Sequence, residues 1–250
     1  MGQVAVPSRF ADDGAYLAVL AAAVSGACAD VSHNLAGQKL GRKGRVTRER
    51  ILAAALELIE ANEDEAFTLG GVARRAGLGM SSLYNYFSDQ TELLLAVLEP
   101  VMATAEDAYM AQVREQWPDA ELAEYTTLFV EAYHAFWARH SGLLHLRNAL
   151  ADQQDVRMML HRIDSTRPLM SLLVRQMSGG AEPGPPEINM ASVLMTGIER
   201  SVTLATDKRL PKLTGLAFDG DETRYNASSA RLLEMAVRDM RSRRDRGLIA

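Results

Sequence analysis

The sequence predicts an all-α fold, and three observations predict it. Apolar residues recur at helical spacing along most of the chain, sustained apolar/polar alternation is absent, and no Asn-Gly hairpin turn occurs. The length of 250 residues suits one large domain or two small ones. With 48% apolar and 24% charged residues, wholesale disorder and a collagen-like fibre are excluded. The single cysteine, Cys28, excludes an intramolecular disulfide framework and a cysteine-rich zinc module, and it fits a reducing compartment. A net charge of −5 means that any nucleic-acid contact needs local positive charge.

Asp13-Gly14 opens a first helix over 14–29. The longest apolar stretch, Ala15 to Ala29, has 15 residues, whereas a bilayer span needs about 20. It ends like a secretory cleavage site, but Asp12 and Asp13 stand where such a signal carries Lys or Arg. The reading is therefore a cytoplasmic helix with Tyr16, Leu17, Leu20 and Val24 on one face. Residues 30–44 carry Gly, Lys and Arg and read as a flexible basic arm. A strong helix follows over 47–62, with Ile51, Leu52, Ala55, Leu56 and Ile59 along one face. Its acidic end (Glu60, Glu63, Asp64, Glu65) reads as a solvated terminus. Thr68 is an N-cap for a short helix over 69–76, and Gly77-Leu78-Gly79 separates it from another over 80–86. Asp89 and Glu92, three apart, mark the start of the next helix like a capping box. Trp117-Pro118 is a break, followed by helices over 119–139, 142–151 and 154–178. Ser178 to Glu187 (SGGAEPGPPE) is a loop by composition, and helices over 187–207 and 222–246 complete the chain.

The stretch from Arg45 to Leu98 holds the chemistry. Ala73 with Gly77 four residues later is what a helix-turn-helix needs: a small side chain for close approach and a glycine for a positive φ. Val72, Leu78 and Leu83 supply the contacts between helices, and Leu83 with Phe87 forms the buried pair. The second short helix then presents Met80, Ser81, Ser82, Tyr84, Asn85 and Tyr86. So short a helix is marginal alone and must be held by its neighbours, the arrangement of a recognition helix in a major groove. Serine meets either kind of base edge, asparagine pairs bidentately with adenine, and tyrosine hydroxyls reach phosphates. Upstream, Lys39, Arg42, Lys43, Arg45, Arg48 and Arg50 stand against a single acid, Glu49, and Arg74 and Arg75 add to the region. Beside a helix-turn-helix, that run reads as a phosphate or minor-groove contact.

These residues resemble the DNA-binding domain of the tetracycline-repressor (TetR/AcrR) family of bacterial transcriptional regulators. The resemblance rests on RERILAAALELI and FTLGGVARRAGLGMSSLYNYFSDQTELL, with Ala73, Ala76-Gly77, Ser81, Leu83-Tyr84, Tyr86-Phe87 and Leu93 as its signature, and it covers about 50 of the 250 residues. It implies an all-helical homodimer: an N-terminal three-helix helix-turn-helix DNA-binding domain plus a helical C-terminal effector-binding and dimerisation domain. The expected divisions are an N-terminal extension over 1–44, the DNA-binding domain over 45–92 and the effector and dimer domain over 93–250. The resemblance further implies that Thr68 caps the first motif helix next to a phosphate. Met80, Ser81, Ser82, Tyr84, Asn85 and Tyr86 face DNA. Gln90 stands where the family very often has Lys, and its amide and the helix N-terminus still offer donors to phosphate. Gly70 and Gly71 depart from the pattern and weaken the first motif helix by about 1 kcal/mol each relative to Ala. The implied partners are a near-palindromic double-stranded operator read in successive major grooves about 34–36 Å apart, a small-molecule effector that lowers DNA affinity, and a second copy of the chain. No membrane and no cofactor are implied.

The remaining motifs carry less. His134 and His140 are six apart and share no helix face, so His134, His140, His145 and His161 read as ordinary histidines and no metal site is expected. No GxxxxGK[ST] loop and no GxSxG elbow occurs, and an enzyme is not expected. Tyr133, Phe136, Trp137, Met158 and Met170 are core residues or the wall of an effector cavity, to which Arg147 and Asp152 add charge or a salt bridge. The stripes Ile188, Ala191, Leu194, Met195, Ile198, Val202 and Leu232, Leu233, Ala236, Val237, Met240 read as a dimer seam. Arg241, Arg243, Arg244, Asp245 and Arg246 read as a solvated helix end. The competing reading is a helical partner-binding module with a degenerate helix-turn-helix, and salt-dependent retention on heparin or random DNA discriminates between the two.

Overall fold

The computed structural model describes residues 35, 39–61, 67–210 and 223–249. The expected helix over 14–29, Cys28, and the acids Glu63, Asp64 and Glu65 lie outside them. Among the described residues every regular element is helical and there is no β-strand, so the chain is all-α. Contacts divide it into two compact units, one up to Met102 and one from Ala103 onward.

The first unit holds α1 (Arg42–Ala61), α2 (Leu69–Arg75), α3 (Met80–Tyr84) and α4 (Gln90–Ala103). Helix α1 begins earlier than the apolar pattern predicts. Leu40 is buried and anchors the turn, and the Arg45 amide donates to the Gly41 carbonyl as the first helical bond. The basic residues from Arg42 onward therefore lie on a helix, not on a flexible arm. Its buried face is Ile51, Leu52, Ala55 and Leu58, whereas Leu56 and Ile59 are half-buried at its flank.

Helix α2 is defined at both ends by side-chain and turn chemistry. The Thr68 hydroxyl accepts from the Gly71 amide at 3.1 Å. At the other end Gly77 takes φ +63°, its amide donates to Arg74 and the Leu78 amide donates to Ala73. These are the paired bonds of a glycine-terminated helix. Helix α4 starts as its sequence predicts: Asp89 accepts from the Glu92 amide at 2.8 Å, and Glu92 reaches back to the Ser88 amide.

The second unit begins with one π turn (Glu106–Met110) and two short 3-10 turns (Ala111–Val113 and Asp119–Glu121). Then come α5 (Leu122–Arg139), α6 (Ser141–Asp152), α7 (Val156–Ser178), α8 (Pro185–Ala205) and α9 (Asn226–Asp245). Helix α9 packs on α5, α7 and α8, and α7 packs on α6 and α8. The core is aromatic. Tyr109 meets Tyr133 and Phe136 edge-on at 5.1 and 5.2 Å, and Phe129 stacks on Tyr133 at 6.0 Å. Burial pushes the Tyr109 hydroxyl up to about 12 and the His140 imidazole down to about 4, so both stay neutral in this core.

Gln176 on α7 ties the entry segment to this bundle. Its amide donates to the carbonyls of Val113 and Glu115 and accepts from the Trp117 amide, while Trp117 is itself buried. Arg241 on α9 closes the same knot, donating to the carbonyls of Gln176 and Trp117 and pairing with Asp119. Arg244 pairs with the buried Glu187 at 2.9 Å. The C-terminal cations are thus not all a solvated helix end. Arg241 and Arg244 fold back over α7 and α8, where acceptors turned away from water lie within reach of their guanidiniums.

The apolar stripes of α8 and α9 also differ from expectation. Ala191, Met195, Ile198 and Val202, with Leu233, Ala236, Val237 and Met240, are buried within the single chain. The apolar side chains left exposed are Ile188 and Val193 on α8 and Leu232 and Met235 on α9. One helix can carry two apolar stripes, and periodicity does not say which one its own chain covers.

Glu187 gives the fold an acid-sensitive lock. Burial opposes its ionisation, but hydrogen bonds from its own amide and that of Gly184, and the Arg244 guanidinium, outweigh burial and hold its carboxyl below the usual value. A depressed carboxyl stabilises the fold fully above the ordinary carboxylate range, and that stability is lost as pH falls through the folded value. Urea unfolding of Glu187→Gln is therefore expected to depend less on pH below about 4.3 than that of the parent. Arg244→Ala costs about 1–3 kcal/mol at neutral pH, because Glu187 is left buried without its cation.

Candidate nucleic-acid interface

Helix α3 has five residues, and its two faces are sharply different. Leu83 is fully buried and Phe87, just beyond it, is 1% exposed. Met80, Ser81, Tyr84 and Asn85 occupy the opposite face and are exposed, with Tyr84 at 49%. Ser82 and Tyr86, one turn apart, sit half-buried at the flank. The helix therefore offers two hydroxyls, one carboxamide and one thioether to solvent over a rigid apolar foot. That set suits base edges and phosphates better than an apolar partner.

The surroundings hold this helix in place. The Asn85 carbonyl at its end accepts from the Leu35 amide at 3.1 Å, a link from the segment before α1 that periodicity does not reveal. Thr68 is exposed and spends its hydroxyl on the α2 cap. The Gln90 amide donates to the Phe67 carbonyl at 2.9 Å, so it fixes the loop before α2 while the first amides of α4 remain at the helix end. Arg45 is exposed on the first turns of α1 beside Arg42 and Lys43.

Arg48 is placed differently from the sequence reading. It is buried, with its guanidinium over the Phe87 ring at 5.2 Å. It braces the residue behind the recognition helix and does not belong to the exposed cationic set. Arg75 leans on Glu57 at 3.4 Å, an exposed pair that links α2 to α1.

The effector candidates separate into two groups. Tyr133, Phe136, Trp137 and Met158 are packed in the core of the second unit. Arg147 is buried among them, over the Trp137 ring at 5.7 Å, bonded to Asn148 and 3.8 Å from Glu199. Asp152 does not pair with it but with Arg162, at 3.6 Å. Met170 alone of the six candidates lines the open cavity of about 830 Å³ between the end of α6, α7 and α8, which Asp152, Arg162 and Glu199 also line. Arg162 and Glu199 escape a sequence reading because they lie 37 residues apart on different helices. Among the described residues no group of three His, Cys, Asp or Glu side chains is placed to hold a metal ion, and no helix is long and apolar enough to cross a membrane.

Comparison with known proteins bears on this geometry. Residues 51–97 match the family described as bacterial regulatory proteins, tetR family. A stretch of 61 residues is 38% identical to an uncharacterised HTH-type transcriptional regulator, TtgW, of Pseudomonas putida. That stretch is 24% of this chain and 46% of the relative, so the chain spans about half of that protein's length. The solved structure of a TetR family transcription regulator from Marinobacter aquaeolei superimposes with a TM-score of 0.52 at 18% identity. The superposition covers 78% of this chain and 97% of that one. At that identity the likeness speaks to the fold alone, which extends beyond the matched domain to the helical second unit. The matched residues run from the buried face of α1 through the exposed face of α3 into α4, and by them the chain is a bacterial regulatory protein of the tetR family.

Proposed function

We propose that this chain is a homodimeric, sequence-specific DNA-binding transcriptional regulator of the cytoplasm, a repressor released from a near-palindromic operator by a small-molecule effector. The observation that carries the reading is the two-faced α3, with Ser81, Tyr84 and Asn85 exposed above the buried Leu83 and Phe87. Met80, Ser82 and Tyr86 complete the base- and phosphate-facing set, and Arg45 supplies a phosphate cation at the start of α1. The dimer reading is supported by exposed Val193, Leu232 and Met235 on α8 and α9, apolar surface that a second copy covers. The effector reading is supported by the cavity between α7 and α8, whose size lies within the range of about 300–1,000 Å³ typical of ligand sites. Effector binding acts by shifting the population toward a form whose two recognition helices no longer fit successive grooves.

Selection of duplexes from a random pool by the purified chain tests this. The expected result is enrichment of a near-palindrome. Absence of any enriched sequence, together with no salt-dependent retention on DNA, rejects the reading in favour of a partner-binding module. Arg45→Ala is expected to weaken binding to all duplexes about equally. It should also make the slope of log affinity against log salt less negative by about 0.9, the effect of losing one phosphate contact.

A further inference from the structure

The charges lining the cavity between α7 and α8 specify the class of its occupant. Resting on the effector-controlled reading above, we propose that the effector is a monoanionic amphiphile. Its carboxylate meets Arg162, and its apolar body lies along Ile163, Met170, Val174 and Met195.

Four charged side chains line the cavity: Arg162, Arg167, Asp152 and Glu199. Arg167 is answered by Asp164 on its own helix at 2.9 Å. Asp152 is 76% exposed and screened by water. The sheltered charge is therefore Glu199, 16% exposed, and it is shared by two guanidiniums: Arg147 at 3.8 Å and Arg162 at 3.6 Å. Both distances exceed hydrogen-bond length, and the buried Oε1 of Glu199 accepts no hydrogen bond. Inside the wall, two cations thus stand against one carboxylate. Arg147, at 4% exposure, is sealed in the core against Trp137. Arg162, at 40% exposure, is the one that faces the cavity.

Its second carboxylate, Asp152, forms a long and solvent-screened pair, the weakest kind of ion pair. An incoming carboxylate displaces Asp152 into water and takes the planar guanidinium face-on with two parallel hydrogen bonds. A cation in the same place meets Arg162 as a like charge. It also draws Glu199 away from Arg147, leaving a buried guanidinium uncompensated. A neutral chain gains only the apolar wall, whose methionines adapt to many shapes.

Isothermal titration calorimetry of the full chain with decanoate, decyltrimethylammonium and decanol, each below its micelle concentration, tests the proposal. Decanoate is expected to bind saturably and at least tenfold more tightly than the other two. Arg162→Gln is expected to lose at least tenfold for decanoate with its decanol affinity unchanged, and Asp152→Asn to bind decanoate a few-fold more tightly than the parent. Arg162 is partly exposed on a helix, and a thermal scan of Arg162→Gln verifies that the variant is folded. No decanoate binding, equal or tighter binding of the cation, or unchanged decanoate affinity in Arg162→Gln overturns the proposal, as does weaker binding in Asp152→Asn. Retention of the same preparations on random duplex DNA separates the two levels. Intact DNA retention without decanoate binding sinks this inference alone, whereas loss of DNA retention in the parent sinks the regulator reading.

Discussion

Phe87→Ala lowers the stability of the helix-turn-helix unit by about 3–5 kcal/mol and removes its affinity for every duplex, specific or random. Phe87 is 1% exposed, immediately beyond the five-residue α3, and its amide donates to Leu83, the buried residue of that helix. Truncation opens a void beneath the recognition helix and strips the Arg48 guanidinium of the ring it lies over. A helix so short does not persist without tertiary support, so its exposed side chains lose their common orientation together. A loss of that size is a large fraction of the roughly 5–15 kcal/mol that typically holds a domain. Phe87→Leu keeps most of the volume and is expected to cost markedly less. Denaturant unfolding of the two variants beside the parent measures the difference. Parent-like stability of Phe87→Ala would show that α3 is held by something other than this packing.

Tyr84→Ala is the complementary experiment, because it leaves the scaffold intact. Tyr84 is 49% exposed, so its truncation opens no cavity. The affinity for a selected operator is expected to fall about 10- to 100-fold, in line with about 1–3 kcal/mol for one specific contact, while thermal stability and the oligomeric state stay unchanged. Ser82→Ala, at the half-buried flank, is expected to weaken the same complex by a smaller factor. Gel-shift titration with sedimentation of the free protein reads both quantities. If both variants bind like the parent, α3 is not a recognition helix. The contrast with Arg45→Ala is informative: a phosphate contact weakens all sequences alike, whereas a base contact weakens the operator selectively.

Much of this protein is legible in its residue order because the causes are local. Thr68 caps α2 through its own hydroxyl, Gly77 takes the one backbone conformation that favours glycine, and Asp89 with Glu92 opens α4. Leu83 and Phe87 at helical spacing decide which side of α3 turns inward, and with it which side chains are offered to solvent. Each of these follows from interactions within four residues, so periodicity and capping chemistry suffice to specify the helices and the exposed set Met80, Ser81, Tyr84 and Asn85. Tertiary structure decided what depends on partners far along the chain. Arg48 left the cationic patch because a ring 39 residues away accepts its guanidinium. Arg241 and Arg244 left the solvated terminus because acceptors around Gln176 and Glu187 drew their guanidiniums inward. The α8 and α9 stripes went to the protomer core, and the cavity gathered Arg162 and Glu199 from separate helices. A charged side chain is equally at home in water or beside a buried counter-charge, and an apolar stripe is equally content against its own chain or another. The choice rests on geometry that only the assembled bundle supplies.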